Sequence, residues 1–359
     1  MKIIHPRPNP IVAALYTLRD MDIDVVLVHG PAGCSFMASR MLEEAGVRVI
    51  TSGMRDDDLI FGGAEKLIDT LRIAEEKFHP KTVAVVGTCA SMIIGEDMAA
   101  SIKRAGLKAN VFPVDCHGCM GDNTSGAVKA IEAGCAAGIL DKAEADRQCS
   151  LMTAATVMEK NVGMAAKDYL SPARGPTKLK VAQTIADALK DGKRVACIML
   201  AKKELAYRFA DMFIALKDAQ RKLGGTLFMA GNMDNTLGLP RIRRYCNDIL
   251  SELEEHDAVP DRIIGGLDEY AIIGPEMKKA VDEFAPDLLI LTGIPHAYPG
   301  YSPENVLITD QPRQLANYLN SGCGLAVGEI SSHSMVMGTR RIIPLETADT
   351  LREIVEGME

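Results

Sequence analysis

The sequence predicts an α/β fold with two to three Rossmann-like domains and parallel sheets. Short runs of aliphatic and β-branched residues alternate with longer amphipathic stretches, which is the pattern of parallel βα units. The chain has 359 residues, and this exceeds the usual size of one domain. Because 47% of the residues are apolar, two or three domains can each bury a core.

Seven runs are predicted as strands, because each is short, apolar and followed by a turn or helix signal. In chain order they are Val25 to Val28, Val83 to Val86, Val111 to Val114, Val195 to Leu200, Thr226 to Met229, Leu288 to Leu291 and Val306 to Ile308.

The predicted domain boundaries follow from where this alternation is interrupted. From about Ala136 to Lys193 the chain is rich in Ala, Met and Lys, and SPARGPT at 171–177 breaks it. This composition indicates helices between domains. The predicted divisions are an N-terminal domain at 1–150, a helical connection at 151–192, and Rossmann-like domains at 193–260 and 261–359.

Composition and charge argue against several classes of protein. The formal net charge is −8 and there is no tryptophan. The chain therefore lacks the excess of positive charge that is typical of nucleic-acid-binding proteins. No apolar run approaches the roughly 18 residues of a membrane span, and MKIIHPRPNP lacks a secretory h-region. Nine scattered cysteines, an odd number, argue against a disulfide framework. We therefore expect a cytoplasmic protein with no membrane partner.

The first predicted strand and the turn after it resemble the start of a phosphate-binding loop, but a cysteine stands where such a loop has its lysine. In DVVLVHGPAGC, residues 24–34, glycines at Gly30 and Gly33 follow the strand. A phosphate loop requires a lysine and a hydroxyl after its last glycine. Cys34 occupies that place, so the loop is not predicted to bind a nucleotide.

Cysteines also follow the ends of two further predicted strands. VVGTCASMIIGED at 85–97 places Gly87 and Cys89 after the second strand, and VDCHGCMGDNTSG at 114–126 places Cys116 and Cys119 after the third. Ligands of open parallel sheets lie beyond the carboxyl ends of the strands. A single buried cysteine is usually a small hydrophobe, but thiols in glycine-flanked turns favour a metal or iron–sulfur site, where nearby amides tune the sulfur ligands.

The CHGC motif is the weaker part of this pattern. C-x-x-C is compatible with a redox disulfide, half of a zinc site, or chance. The sequence has no second C-x-x-C to complete a four-sulfur zinc site. His117 lies in a glycine-rich loop, where a hydrogen-bonding role is more common than ligation. Cys116 and Cys119 are therefore less favoured as ligands than Cys34 and Cys89.

The residues around Cys34 and Cys89 carry a resemblance to a known family. HGPAGC and GTCASMIIGED are similar to the cysteine motifs of nitrogenase component 1 and of dark-operative protochlorophyllide reductase. HPRPNPIVAALYTLRDMDIDVVLVHGPAGCSFMASRMLEE and VVGTCASMIIGEDM more closely resemble the CfbD family of methanogens. The resemblance is strong over residues 1–130 and weaker onward through PDLLILTGIPHAYPG.

This resemblance implies a function. CfbD proteins are the catalytic component of nickel-sirohydrochlorin a,c-diamide reductive cyclase, in coenzyme F-430 biosynthesis. The implied substrate is a nickel tetrapyrrole with acidic side chains, and the implied reaction is reduction with closure of a lactam ring. Since the chain lacks a phosphate loop, the ATP step is expected to belong to a nitrogenase reductase-like iron–sulfur ATPase of the CfbC type.

The resemblance also implies a 4Fe-4S cluster and its ligands. Cys34 and Cys89 match family ligand positions, but the further upstream cysteine of nitrogenase subunits is absent, because HPRPN stands there. A homodimer would supply both cysteines twice and share one cluster between its subunits. Alternatively, Cys116 or Cys119 is a third ligand, and each subunit holds its own cluster.

Candidate proton donors and a substrate contact lie in or beside these turns. His5, His117, Glu96 and Asp97 are the candidate donors, although the two carboxylates could equally cap the helix that follows. Arg7 is a candidate partner for substrate carboxylates, because its guanidinium fork suits them.

Three alternative functions stay open from the sequence. The chain could be another nitrogenase-like tetrapyrrole reductase, or a scaffold that holds a metal cluster without turnover. A thiol-redox enzyme that uses CHGC would need no iron.

Overall fold

The structure is a computed structural model that describes residues 9–34, 36–162, 175–329, 336 and 338–358. The chain divides into two compact units. Unit 1 comprises Met1–Met164 with Leu239–Arg241, and unit 2 comprises Ala165–Gly238 with Ile242–Glu359. Each unit contains one parallel sheet.

Unit 1 is a four-stranded parallel sheet with flanking helices, in the strand order β2-β1-β3-β4. Its elements are α1 (Pro10–Asp20), β1 (Val25–Val28), α2 (Phe36–Glu44), β2 (Arg48–Thr51), α3 (Asp56–Phe61), α4 (Ala64–Phe78), β3 (Thr82–Val86), α5 (Cys89–Ile93), α6 (Met98–Ala105), β4 (Asn110–Val114), α7 (Thr124–Ala136) and α8 (Lys142–Val162).

The register of the first sheet aligns the turns that carry the cysteines. Val28 pairs with Val86, and Val86 pairs with Val114. All four residues of β1 are buried, as expected for a parallel strand covered on both faces. Because β1, β3 and β4 end at the same level, the segments that follow them emerge at one edge.

Unit 2 is a six-stranded parallel sheet in the strand order β10-β9-β8-β5-β6-β7. Its elements are α9 (Pro176–Lys190), β5 (Arg194–Leu200), α10 (Ala206–Phe209), α11 (Asp211–Leu223), β6 (Thr226–Gly231), α12 (Pro240–Glu255, whose first two residues group with unit 1), β7 (Arg262–Ile263), α13 (Gly274–Phe284), β8 (Leu288–Gly293), β9 (Val306–Thr309), α14 (Pro312–Asn320), β10 (Ala326–Gly328) and α15 (Glu346–Gly357), with 3₁₀ turns at Lys203–Leu205 and Pro295–Ala297.

The predicted α/β class with parallel sheets is confirmed, and all seven predicted strands are present. Three further strands, β2, β7 and β10, lack an apolar run that marks them in the sequence. β7 has only two residues, both exposed, and β10 has only three. Short or exposed strands bury too little apolar surface to leave a recognisable pattern.

The sheet of unit 2 crosses one of the predicted divisions. β5 lies in the range 193–260, β8 lies in the range 261–359, and the two strands pair along their lengths. The predicted connection is likewise divided, since α8 packs against α7 while α9 packs against α11 and α15.

Among the described helices, none is both long enough and apolar enough to cross a membrane.

Candidate metal centre

Two of the cysteine turns of unit 1 are tied to each other by backbone and hydroxyl groups. The Thr88 hydroxyl, which follows β3, donates a hydrogen bond of 2.9 Å to the carbonyl oxygen of His29, which follows β1. Thr88 also caps α5, because its hydroxyl accepts from the backbone N–H of Ser91. A Cβ atom on Gly30 would lie 2.3 Å from the Thr88 hydroxyl oxygen. Only glycine therefore allows the two turns to approach this closely.

Cys89, at the start of α5, forms a cluster of donors with the turn that follows β4. The sulfur atoms of Cys89 and Cys119 lie 3.6 Å apart. Ligand atoms of Cys89, His117 and Cys119 all lie within 4.8 Å of one another. Nδ1 of His117 is buried and has no hydrogen-bond partner among the described residues. Soft sulfur and imidazole donors of this kind suit iron, zinc or copper(I).

Cys34 lies near this cluster but is not within it. Its side chain is partly buried. Burial raises the pKa of the Cys34 thiol, and the charge of a Cys89 thiolate raises it further. This electrostatic coupling places the first and second cysteine turns within interaction range of each other.

The two cysteines of CHGC differ in environment. Cys116 is buried, and burial, followed by the charges of Asp115 and Cys89, raises its pKa to about 12. Cys119 is exposed, and its hydrogen bond to Cys89 raises the pKa of its thiol. The thiol that contacts Cys119 is thus Cys89, which argues against a CHGC redox disulfide. Cys116 is a thiol held protonated in the core.

The predicted glycines have different surroundings. Gly87 lies close to the third turn, since a Cβ there would be 3.1 Å from the carbonyl oxygen of Cys116. Around Gly33, by contrast, no atom lies within 4 Å of such a Cβ. Gly118, which the sequence analysis did not single out, has the Cys89 sulfur 3.3 Å from its Cβ position. A side chain at Gly118 would therefore press on the Cys89 sulfur.

The two predicted carboxylates have structural partners. Asp97 accepts a hydrogen bond of 2.9 Å from the backbone N–H of Ala100, which makes it the N-cap of α6. Glu96 accepts a hydrogen bond from the backbone N–H of Gly63. The capping role is thus observed for Asp97, whereas Glu96 anchors the loop between α3 and α4. His5 and Arg7 lie outside the described residues.

His29 is a buried histidine that the sequence analysis missed. Its Nδ1 lies 3.0 Å from the Ser52 hydroxyl, and its Nε2 lies 3.8 Å from a Glu96 carboxylate oxygen. Burial lowers the pKa of His29, and the opposing effect of Glu96 is smaller. Its position directly after β1, in HGP, is the signal that could have identified it.

Comparison with known proteins identifies the family. The family model of nitrogenase component 1 type oxidoreductases matches residues 9–203. Component CfbD of the Ni-sirohydrochlorin a,c-diamide reductive cyclase complex from Methanothermobacter thermautotrophicus is 43% identical, over 98% of this chain and 99% of that protein. Its counterpart from Methanosarcina acetivorans is 41% identical, over 99% and 98%.

A more distant relative matches over a shorter stretch. The nitrogenase molybdenum-iron protein alpha chain from Clostridium pasteurianum is 33% identical over 115 residues, which cover 29% of this chain and 21% of that one. The chain belongs to the nitrogenase component 1 type oxidoreductases and, within them, to the CfbD family of reductive cyclase components.

Proposed function

We propose that this chain is the catalytic component of an ATP-dependent reductive cyclase. Its substrate is nickel-sirohydrochlorin a,c-diamide, which it reduces while a lactam ring closes. The observation that carries the proposal is the gathering of Cys89, Cys119 and His117, with Cys34 nearby, at one edge of the first sheet. The relatives of nearly equal length support the choice of substrate.

The donors in unit 1 fit an iron–sulfur group. Three partly or fully accessible thiols and one unpartnered imidazole nitrogen face the same region, and iron–sulfur clusters are held by cysteine thiolates. Gly118 leaves the Cys89 sulfur unobstructed. A 4Fe-4S group bound there supplies low-potential electrons one at a time.

In the proposed ligand scheme, Cys34 and Cys89 of each of two copies hold one shared cluster. One chain then provides two of the four thiolates, and the site is incomplete without a second copy. Cys119 is assigned the role of hydrogen-bond donor to the Cys89 sulfur, at the observed separation of 3.6 Å. Hydrogen bonds to ligand sulfur tune the potential of such a group.

Exposed apolar side chains beside the site support contact with a second copy. Phe61 at the end of α3 is 84% exposed, and Ile93 at the end of α5 is 75% exposed. The hydrogen bond between Gly63 and Glu96 joins the segments that follow these two helices. Large exposed apolar side chains next to a functional site are typical of interaction surfaces.

The ATP step is assigned to a separate protein. The sequence contains no G-x-x-x-x-G-K-[ST] loop, and Cys34 replaces the lysine that would reach a phosphate. A nitrogenase reductase-like iron–sulfur ATPase, which docks and delivers electrons, is the partner that fits this division of labour.

Among the candidate proton donors, His117 is the best placed. Its buried Nδ1 has no hydrogen-bond partner among the residues described, so no described side chain competes for the proton that His117 would deliver. Asp97 is engaged as a helix cap and Glu96 as a loop anchor. We therefore assign proton delivery to His117 and structural roles to the two carboxylates.

An anaerobic turnover assay tests the proposal. The chain, nickel-sirohydrochlorin a,c-diamide and dithionite are mixed with or without the cognate iron–sulfur ATPase and Mg-ATP, and the product is followed by absorption and mass spectrometry. We expect a reduced, cyclised nickel product only in the complete mixture. Cys89→Ser is expected to be inactive, whereas Cys149→Ser, which changes a partly buried thiol on α8, is the matched control.

The same assay separates the remaining alternatives. Multiple turnovers without the partner, or with the partner and no ATP, would contradict the division of labour. A chain that binds iron but converts no substrate in the complete mixture would be a scaffold. Full activity in an iron-free preparation would indicate thiol-redox chemistry.

A further inference from the structure

The sheet of unit 2 has a topological switch point of its own. In the order β10-β9-β8-β5-β6-β7, the chain runs from β5 to β6 on one side and later returns to place β8 on the other side of β5. In open parallel sheets, ligands bind beyond the carboxyl ends of the strands at such a point. A binding site in unit 2 is therefore expected at the segments that follow β5 and β8.

Three segments place polar side chains together at this edge. Lys203, which follows β5, forms an ion pair of 2.6 Å with Glu269, and both side chains are almost fully buried. Tyr270, the next residue, has its ring centre 5.5 Å from the ring centre of His296, which follows β8. Burial, followed by the positive charge of Lys202, lowers the pKa of His296 to about 4.

The backbone around these residues is held in an unusual conformation. Lys203 has a φ of +43°, a left-handed conformation that is costly for a residue with a side chain and recurs at functional sites. The Asn232 side chain bonds the backbone of both Ala201 and Gly266. A Cβ on Gly293 would lie 2.3 Å from the carbonyl oxygen of Leu200. These constraints fix the directions in which the segments leave the sheet.

Two buried polar atoms at this edge are unsatisfied within the described chain. Neither Nδ1 of His296 nor the hydroxyl of Tyr270 has a hydrogen-bond partner there. Leaving such groups buried and unpaired is unfavourable for folding, so their presence points to a partner that the free chain lacks. Lys202 adds a positive charge near His296, and no acidic side chain among the described residues forms an ion pair with it. The charge of Lys203, by contrast, is neutralised by Glu269.

We propose that Lys202, Tyr270 and His296 form a subsite that binds one carboxylate of the tetrapyrrole's acidic side chains. An ammonium group, a phenol hydroxyl and a neutral imidazole can all donate to carboxylate oxygens. The inference rests on the proposed function, because it takes its ligand from the substrate named there. It adds a binding site in unit 2 that is distinct in sequence and in sheet from the cysteines of unit 1.

Equilibrium binding of nickel-sirohydrochlorin a,c-diamide to the full chain, without partner or ATP, tests the subsite. Three variants, Lys202→Met, His296→Phe and Tyr270→Phe, are compared with wild type, and Lys279→Gln on an exposed part of α13 is the control. We expect the first two to weaken binding by about tenfold each, as for loss of one charge-assisted hydrogen bond, and the control to leave it unchanged.

Tyr270→Phe gives a readout that a purely structural role would not. Since its hydroxyl has no partner within the described chain, its removal is expected to leave the thermal unfolding midpoint unchanged or higher while binding weakens several-fold. A lower midpoint with unchanged affinity would mean that the hydroxyl serves the fold, and it would overturn the assignment.

Two chemical probes identify the ligand group. A tetrapyrrole with methyl-esterified side chains is expected to bind wild type and His296→Phe equally. If the ester binds wild type as tightly as the acid, or if inorganic phosphate displaces the acid at comparable concentration, the subsite is not selective for the substrate's carboxylates and the proposal is overturned.

The outcomes also separate this inference from the function on which it rests. If wild type binds the tetrapyrrole and all three variants bind it equally, the subsite is wrong and the proposed function stands. If wild type does not bind the tetrapyrrole at all, both are wrong.

Discussion

Replacing Cys119 with alanine tests the proposed roles of the three accessible thiols. The substitution removes the sulfur that lies 3.6 Å from Cys89 and leaves both proposed ligands in place. We expect the variant to keep its iron and to have a lower reduction potential. When Cys89 is a ligand thiolate, Cys119 is the donor of their hydrogen bond, and that bond strengthens as the group gains negative charge.

The magnitude follows from the strength of one hydrogen bond. A net contribution of about 1 kcal/mol in favour of the reduced state corresponds to about 40 mV for transfer of one electron. Cys119→Ser retains a hydroxyl donor and is expected to restore part of this shift. Cys149→Ala, on α8, is the matched control and is expected to change neither iron content nor potential.

The assay is an anaerobic redox titration of the iron signal by EPR, with iron counted in each variant. Loss of iron in Cys119→Ala would refute the two-ligand scheme, because Cys119 would then be a ligand. Retained iron with an unchanged potential would refute the hydrogen bond to Cys89.

Three further predictions concern the acidic turn, the pH dependence and the apolar surface. Asp97→Asn is expected to keep both stability and turnover. Asp97→Ala is expected to lose about 1 kcal/mol of unfolding free energy, because it removes the cap on α6. A turnover defect in Asp97→Asn would indicate that Asp97 is a proton donor after all. Burial lowers the pKa of His296 from 6.5 in the unfolded chain to about 4 in the folded chain. The contribution of the neutral His296 to the free energy of unfolding is therefore complete above pH 6.5. This contribution, about 3 kcal/mol, is lost as the pH falls towards 4. Urea titrations at pH 7 and pH 4.5 should therefore show that the free energy of unfolding decreases less in His296→Phe than in wild type when the pH is lowered. Equal decreases in the two proteins would contradict a buried, neutral His296. Phe61→Glu is expected to weaken self-association at least tenfold by sedimentation, from the loss of about 1.5–3 kcal/mol of aromatic burial, whereas Leu179→Glu, at another exposed apolar position, should not; equal association of Phe61→Glu and wild type would exclude this surface.

The strands and the cysteine-bearing edge were predictable because they depend on local patterns. Val25 to Val28 is an uninterrupted β-branched run, and the structure has a strand with the same bounds. Parallel strands place their carboxyl ends together, so the positions of Cys34 and Cys89 after strands already indicated a shared edge. β2 was missed because only its two middle residues are apolar and at least partly buried, whereas both of its end residues are exposed.

The distinction between Cys116 and Cys119 was not available from the sequence. It depends on which way a glycine-rich turn carries each thiol, and this follows from long-range packing. Cys116 points into the core, and Cys119 is exposed and contacts Cys89, 30 residues earlier in the chain. The spacing C-x-x-C is the same whether or not the two sulfurs face each other.

The subsite in unit 2 was missed for a different reason. The strand-end rule applies equally to the second sheet, where Lys202 follows β5 and His296 follows β8. Neither residue belongs to a recognisable motif, and the side of β5 on which β8 pairs is a property of the whole sheet. The unpartnered state of the His296 and Tyr270 polar atoms can be seen only in the folded structure.

The iron and sulfide content of the anaerobically purified chain, with its EPR spectrum, tests the central claim that the cysteine turns of unit 1 hold an iron–sulfur cluster. We predict about one 4Fe-4S cluster per two chains in wild type. The iron and the signal should be absent from Cys34→Ser and from Cys89→Ser, which should remain folded, and retained in Cys149→Ser. Unchanged iron and EPR signal in either of the first two variants would contradict the assignment of that ligand, and one cluster per chain in wild type would contradict sharing.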